Sequence, residues 1–113
     1  AVVDARNSSG FKMGDEDVLV AAYTSTGRGE CIVFSRDRGR TWTEFEGNPV
    51  VKHNGRDPKL IWHDASSRWV MAVYDEQPNA EPPAARQGIA FYTSPDLKKW
   101  EFASRIDGFY ECP

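Results

Sequence analysis

Two stretches of this chain carry the same signature. Ile32-Val33-Phe34-Ser35, followed by Asp37, Trp42 and Phe45, is matched by Ile89-Ala90-Phe91, followed by Ser94, Asp96, Trp100 and Phe102, at an offset of about 58 residues. Such a repeat constrains the fold strongly, because each unit must be a small element that buries its apolar face against the next. The apolar runs inside each unit are too short for an ordinary helix, are rich in strand formers and are punctuated by Gly, Asn, Asp and Pro. The spacing predicts strands over 1–4, 17–24, 31–35 and 41–45, and again over 57–63, 69–74, 88–92 and 99–102. Four short antiparallel strands per repeat make a propeller blade. The expected fold class is therefore all-β, with one blade over 1–52, a second over 53–106 and the start of a third over 107–113.

A propeller usually closes with four to eight blades. Two blades in 113 residues predict either part of a larger fold or a chain that associates as a homo-oligomer through its exposed blade edges. The chain opens on Ala1 rather than Met, as expected of a processed, cut or tagless product from which any export signal would have been lost. Fourteen basic residues are scattered among 17 acidic ones for a net charge of -3, so no basic stripe marks a nucleic-acid partner. No apolar run reaches the roughly 18 residues of a membrane-spanning helix. Cys31 and Cys112 leave the redox compartment open, since Cys serves as a small buried hydrophobe as readily as a bridge.

The turn Ser35-Arg36-Asp37-Arg38-Gly39-Arg40-Thr41-Trp42 is similar in its spacing to the Asp-box turn of sialidases and other propellers. There the Asp ties the hairpin backbone and the Trp packs beneath it. This is a structural device, and Asp37 and Trp42 are assigned no catalytic role. Asp15-Glu16-Asp17 reads as a solvated turn, because the ordered oxygen spacing of a calcium loop is absent. His53 and His63 read as plain strand or loop residues with no ligand partner at useful spacing, so no metal and no cofactor are expected.

Chemistry is sought at Arg56-Asp57-Pro58, which precedes the apolar run Leu60-Ile61-Trp62. Ionised groups at the mouth of a buried strand lose water, which is costly unless a partner or ligand compensates. Pro58 lacks an amide proton and is expected to open the strand, with Asp57 at its tip. The innermost strand of each blade lines the propeller channel. Asp4 after the first, Asp57 at the second and Glu111 where the third would open are expected to hold equivalent places around it. Carboxylates converging on one pocket are what glycoside hydrolysis requires, one staying protonated to donate to the leaving oxygen. Like charge and desolvation raise the pKa of such an acid. Spacing alone leaves open that these are ordinary turn carboxylates.

Arg56-Asp57-Pro58, followed some way on by Glu111-Cys112-Pro113, resembles the paired motifs of glycoside hydrolase family 32, the invertases, levanases and inulinases. Ala1-Val2-Val3-Asp4 with Ser9-Gly10, Asn48-Pro49-Val50 and Ser94-Pro95-Asp96-Leu97-Lys98-Lys99-Trp100 resemble the intervening pattern. The resemblance implies a five-bladed propeller that cleaves terminal β-fructofuranosyl bonds with retention, and a partner that is a fructose-containing oligo- or polysaccharide. It implies Glu111 as general acid/base, Asp57 as transition-state stabiliser, Arg56 as a sugar-fixing residue and Cys112 at the pocket wall. A secreted or periplasmic parent follows from substrate size.

The family's nucleophile is an Asp in an Asn-Asp-Pro-Asn motif, which this sequence lacks, and Asp4 lies in surroundings that match a later family segment. The chain on its own is therefore expected to be inactive. Two other readings remain: a non-catalytic carbohydrate-binding or self-assembling two-blade module, and a sialidase-like enzyme. The latter would call for an arginine cluster, and only Arg56 has a suitable place.

Overall fold

The computed structural model describes residues 1–108. It contains two four-stranded antiparallel sheets. The first runs β1 (Val2–Asp4), β2 (Val18–Ser25), β3 (Gly29–Ser35) and β4 (Thr43–Glu44), and the second β5 (Gly55–His63), β6 (Arg68–Glu76), β7 (Gln87–Ser94) and β8 (Glu101–Asp107). In both, spatial order equals chain order, the up-and-down meander of a propeller blade. The repeat thus corresponds to two copies of one sheet.

Alternation decides which face each strand buries. Along β6, Trp69, Met71, Val73 and Asp75 point inward while Val70, Ala72, Tyr74 and Glu76 alternate outward. Val18 and Val20 of β2, Ile32 and Phe34 of β3, Leu60 of β5 and Ala90 of β7 join the inward set in one cluster. Strand β5 lies against β2 and β3, so this cluster is the seam between the two sheets. The outward faces keep apolar residues exposed, among them Val3, Ile61 and Ile106.

Several strand limits differ from expectation. Strand β8 covers 101–107 rather than 99–102, because Lys99 and Trp100 belong to the preceding turn. Strand β4 keeps only two residues, with Thr41 and Trp42 likewise held in the turn. Pro58 does not open its strand: β5 begins at Gly55, and Pro58 sits inside it at a break in register.

The two related turns are built alike. Asp37 accepts hydrogen bonds from the Thr41 amide, the Thr41 hydroxyl and the Ser35 hydroxyl, which hold its pKa down at about 2. Asp96 accepts from the Lys98 and Lys99 amides and the Ser94 hydroxyl. In each turn the Trp indole N–H donates to the carbonyl three residues back, Gly39 or Leu97. Positive-φ residues close the bends: Arg38 and Gly39 in the first, Leu97 in the second. Trp42 is not fully covered beneath its hairpin: it is 42% exposed, next to a β4 of only two exposed residues.

Trp69 is the indole that anchors the core. It is 4% exposed, donates to the Ser8 hydroxyl at 2.8 Å and meets Trp62 edge to face at 5.1 Å. Trp69→Ala is expected to cost about 3–5 kcal/mol. Trp42→Ala, which removes a ring already in water on one side, should cost about 1–2 kcal/mol. Urea denaturation of the two variants side by side checks this order.

Candidate functional site

Between Arg56 and Lys59 strand β5 advances three residues while β6 advances two, so one extra residue is inserted: a β-bulge. Asp57 occupies it with φ of 65°, the left-handed region, which Asp tolerates better than most side chains. Pro58 suits the position because it has no amide to leave unpaired and disfavours the right-handed helical region for Asp57. The sequence Arg-Asp-Pro therefore encodes a kink that re-aims one carboxylate. Its entry is fixed by Gly55, where a Cβ would collide with the Tyr74 carbonyl and come within 2.5 Å of the His53 ring.

Arg56 and Asp57 line a concavity of about 370 Å³ with Tyr74, Glu76, Gln87 and Ile89. The Arg56 guanidinium lies 4.7 Å from the centre of the Tyr74 ring and 3.8 Å from Glu76. Glu76 also accepts the Tyr74 hydroxyl at 2.8 Å. Both Arg56 and Asp57 are exposed, not stripped of water at a buried mouth as the sequence suggested. Among the described residues no donor is paired with the Asp57 carboxylate, while its amide donates to the Thr24 hydroxyl at 3.0 Å. A planar cation, an aromatic face and a free carboxylate on one concave wall can grip a polyhydroxylated ring.

Asp4 does not share this place. It ends β1 beside Val18 at the start of β2, whereas Asp57 neighbours Thr24 near the end of β2, so the two carboxylates occupy opposite ends of their blades. Asp4 is also buried and fully used. Burial pushes its pKa up, but the hydroxyls and amides of Ser9 and Ser8 outweigh that and hold it below the usual value. Its role is to tie the 4–9 loop. Glu111 and Cys112 lie outside the described residues.

His53 is not the plain loop residue that its sequence spacing predicts. Its Nε2 lies 2.6 Å from Glu30 and its Nδ1 2.9 Å from Asp75, and the ring is 5% exposed. Asp75 also receives Arg105 Nε at 2.8 Å, and Glu30 receives the Thr24 hydroxyl at 2.7 Å. Both ring nitrogens face carboxylates, which accept but do not donate when ionised, so the geometry calls for the doubly protonated ring. Accordingly the Glu30 hydrogen bond, working against burial and assisted by Asp75, raises the His53 pKa. The missed signal was periodicity: Asp75 falls in the inward phase of Trp69, Met71 and Val73, and an inward carboxylate requires a partner.

Two packed four-stranded up-and-down meanders have the form of neighbouring propeller blades. The chain belongs to glycoside hydrolase family 32: the model of the Glycosyl hydrolases family 32 N-terminal domain matches residues 4–113. It is 41% identical over its whole length to a levanase of Bacillus subtilis, covering 17% of that protein. Over 99% of its length it is 37% identical to an invertase of Wickerhamomyces anomalus, covering 22%. Among solved structures, the exo-inulinase of Aspergillus awamori superposes with a TM-score of 0.77 at 31% identity, over 93% of this chain and 24% of that one. The chain thus spans about a fifth of the length of the curated relatives it matches. The propeller expected from the repeat is the fold of this family.

Proposed function

We propose that this chain forms part of the substrate wall of a retaining hydrolase that cleaves terminal β-fructofuranosyl bonds in sucrose, levan or inulin. The observation that carries the reading is Asp57, held in a left-handed bulge with its carboxylate free on a concave wall beside Arg56. Support also comes from the family and from relatives named for activity on levan and inulin.

In this reading the Asp57 carboxylate accepts hydrogen bonds from fructosyl hydroxyls and stabilises the positive charge that develops on the ring in the transition state. Arg56 fixes the sugar, and Cys112 contributes to the pocket wall. Glu111 donates a proton to the glycosidic oxygen and later takes one from water, the two-stage duty of the acid/base in a retaining enzyme. The covalent nucleophile is not supplied by these 113 residues, so the chain by itself is expected to bind fructosyl units without hydrolysing sucrose.

The test is fructose release from sucrose and levan by the full-length polypeptide that carries this stretch. Glu111→Gln should lower turnover by about 100- to 10,000-fold, the usual worth of general acid/base assistance. Full turnover by that variant, or hydrolysis of sucrose by the 113-residue chain alone, would contradict the assignment.

A further inference from the structure

The Asp57 amide has one partner among the described hydrogen bonds, and that partner comes from the other sheet. Thr24, near the end of β2, accepts the amide at 3.0 Å. A hydroxyl has one proton, and Thr24 gives it to Glu30 at 2.7 Å, which leaves a lone pair to meet Asp57. Glu30 is fully buried and cannot turn away, because its second oxygen is held by His53 at 2.6 Å. His53 is in turn held by Asp75, and Asp75 by Arg105, whose guanidinium also donates to the backbone carbonyls of Ala85 and Arg86. The chain of contacts runs from the outermost strand of the second sheet across the seam to Glu30 and Thr24 of the first, and back to the bulge of the candidate site on β5.

We infer that Thr24 is a positioning residue: clamped by Glu30, its hydroxyl fixes the Asp57 amide and so sets the direction in which the bulge aims its carboxylate. This rests on the proposal that Asp57 acts on a fructosyl unit, but the hydrogen bond itself can be tested apart from it. A residue in the left-handed region before proline has few restraints of its own, since the following residue has no amide to pair. The restraint must come from outside the strand, and Thr24 supplies it.

Two measurements decide the matter. Amide hydrogen exchange of Asp57, read by NMR on this chain, should be slowed at least about tenfold relative to an unstructured peptide. Thr24→Val, which keeps the shape and removes the hydroxyl, should abolish that protection, and Thr24→Ser should restore it. An unprotected Asp57 amide in the wild type, or unchanged protection in a folded Thr24→Val chain, would overturn the inference. In the full-length protein, Thr24→Val should lower kcat on levan by about 10- to 100-fold, the cost of a small misplacement, with a lesser change in KM and rescue by Thr24→Ser. Kinetics within twofold of wild type in the Val variant would equally refute a positioning role. If the wild-type protein released no fructose at all, the functional reading would fail, and hydrogen exchange would still settle whether Thr24 holds Asp57.

Discussion

Asp57→Asn in the full-length polypeptide is expected to cut kcat/KM on sucrose and levan by about 100- to 1,000-fold, the loss found when one preorganised transition-state contact is removed. Asn keeps the size of the side chain and is among the residues most tolerant of the left-handed backbone, so the bulge at φ of 65° should survive. What changes is charge and acceptor capacity. The variant has one carbonyl oxygen where two anionic oxygens stood, and its amide group donates toward hydroxyls that should themselves donate. The loss should fall mainly on kcat, because an oxocarbenium-like ring carries positive charge that the ground state lacks. Steady-state kinetics with sucrose and levan check this, and an Asn variant at wild-type rate would remove Asp57 from the mechanism.

The second large effect concerns stability. His53→Ala should destabilise the folded chain by about 3–5 kcal/mol, because it leaves buried Glu30 facing no cation and deprives Asp75 of one of two. The charges around the ring come from three strands, Glu30 on β3, Asp75 on β6 and Arg105 on β8, and the neutral Tyr92 of β7 packs its ring 6.2 Å from that of His53. With His53 protonated the two carboxylates and two cations balance; with it neutral, a net negative charge is left in the seam.

The sign of the pH dependence follows. Since the folded pKa of His53 is raised above 6.5, its stabilisation is complete below that pH and is lost as pH rises through the raised value. Burial also raises the pKa of Cys31 and of Tyr92, so they push in the same direction on the alkaline side. Comparing thermal midpoints of wild type and His53→Gln across that range isolates the histidine. The wild type should lose its advantage as pH rises. An advantage independent of pH would contradict a stabilising role for the protonated ring.

Much of the architecture was legible because strands and turns write themselves locally. The apolar strand over 69–74 and the Ser-Asp-Trp turns at Asp37 and Asp96 depend on neighbours a few residues away, and both reappear in the fold. The bulge was half legible. Arg56-Asp57-Pro58 marked a special place, but a residue inserted between paired strands is visible only against the partner strand, here in the pairing of Arg56 with Tyr74 and Lys59 with Ala72. Asp4 misled for the same reason: its chain position mimics that of Asp57, while antiparallel pairing puts it at the other end of the blade.

The buried chain behind Asp57 was least legible. His53 joins Glu30 and Asp75, 23 and 22 residues away on strands of different sheets, and no local pattern encodes such a meeting. Glu30 is itself buried, between Gly29 and Cys31 in a strand where only Val33 is half-buried, and Asp75 continues an apolar phase. Each alone looks like an exception. Together they compensate one another, which is the condition for charge to survive in a core.

The measurement that bears most directly on this account is a crystal structure of the full-length polypeptide with fructose bound. The account predicts fructose on the concave wall, an Asp57 carboxylate oxygen within about 3 Å of a sugar hydroxyl, and the Asp57 amide still on Thr24. Fructose bound elsewhere, with the Asp57 carboxylate left in solvent, would contradict it.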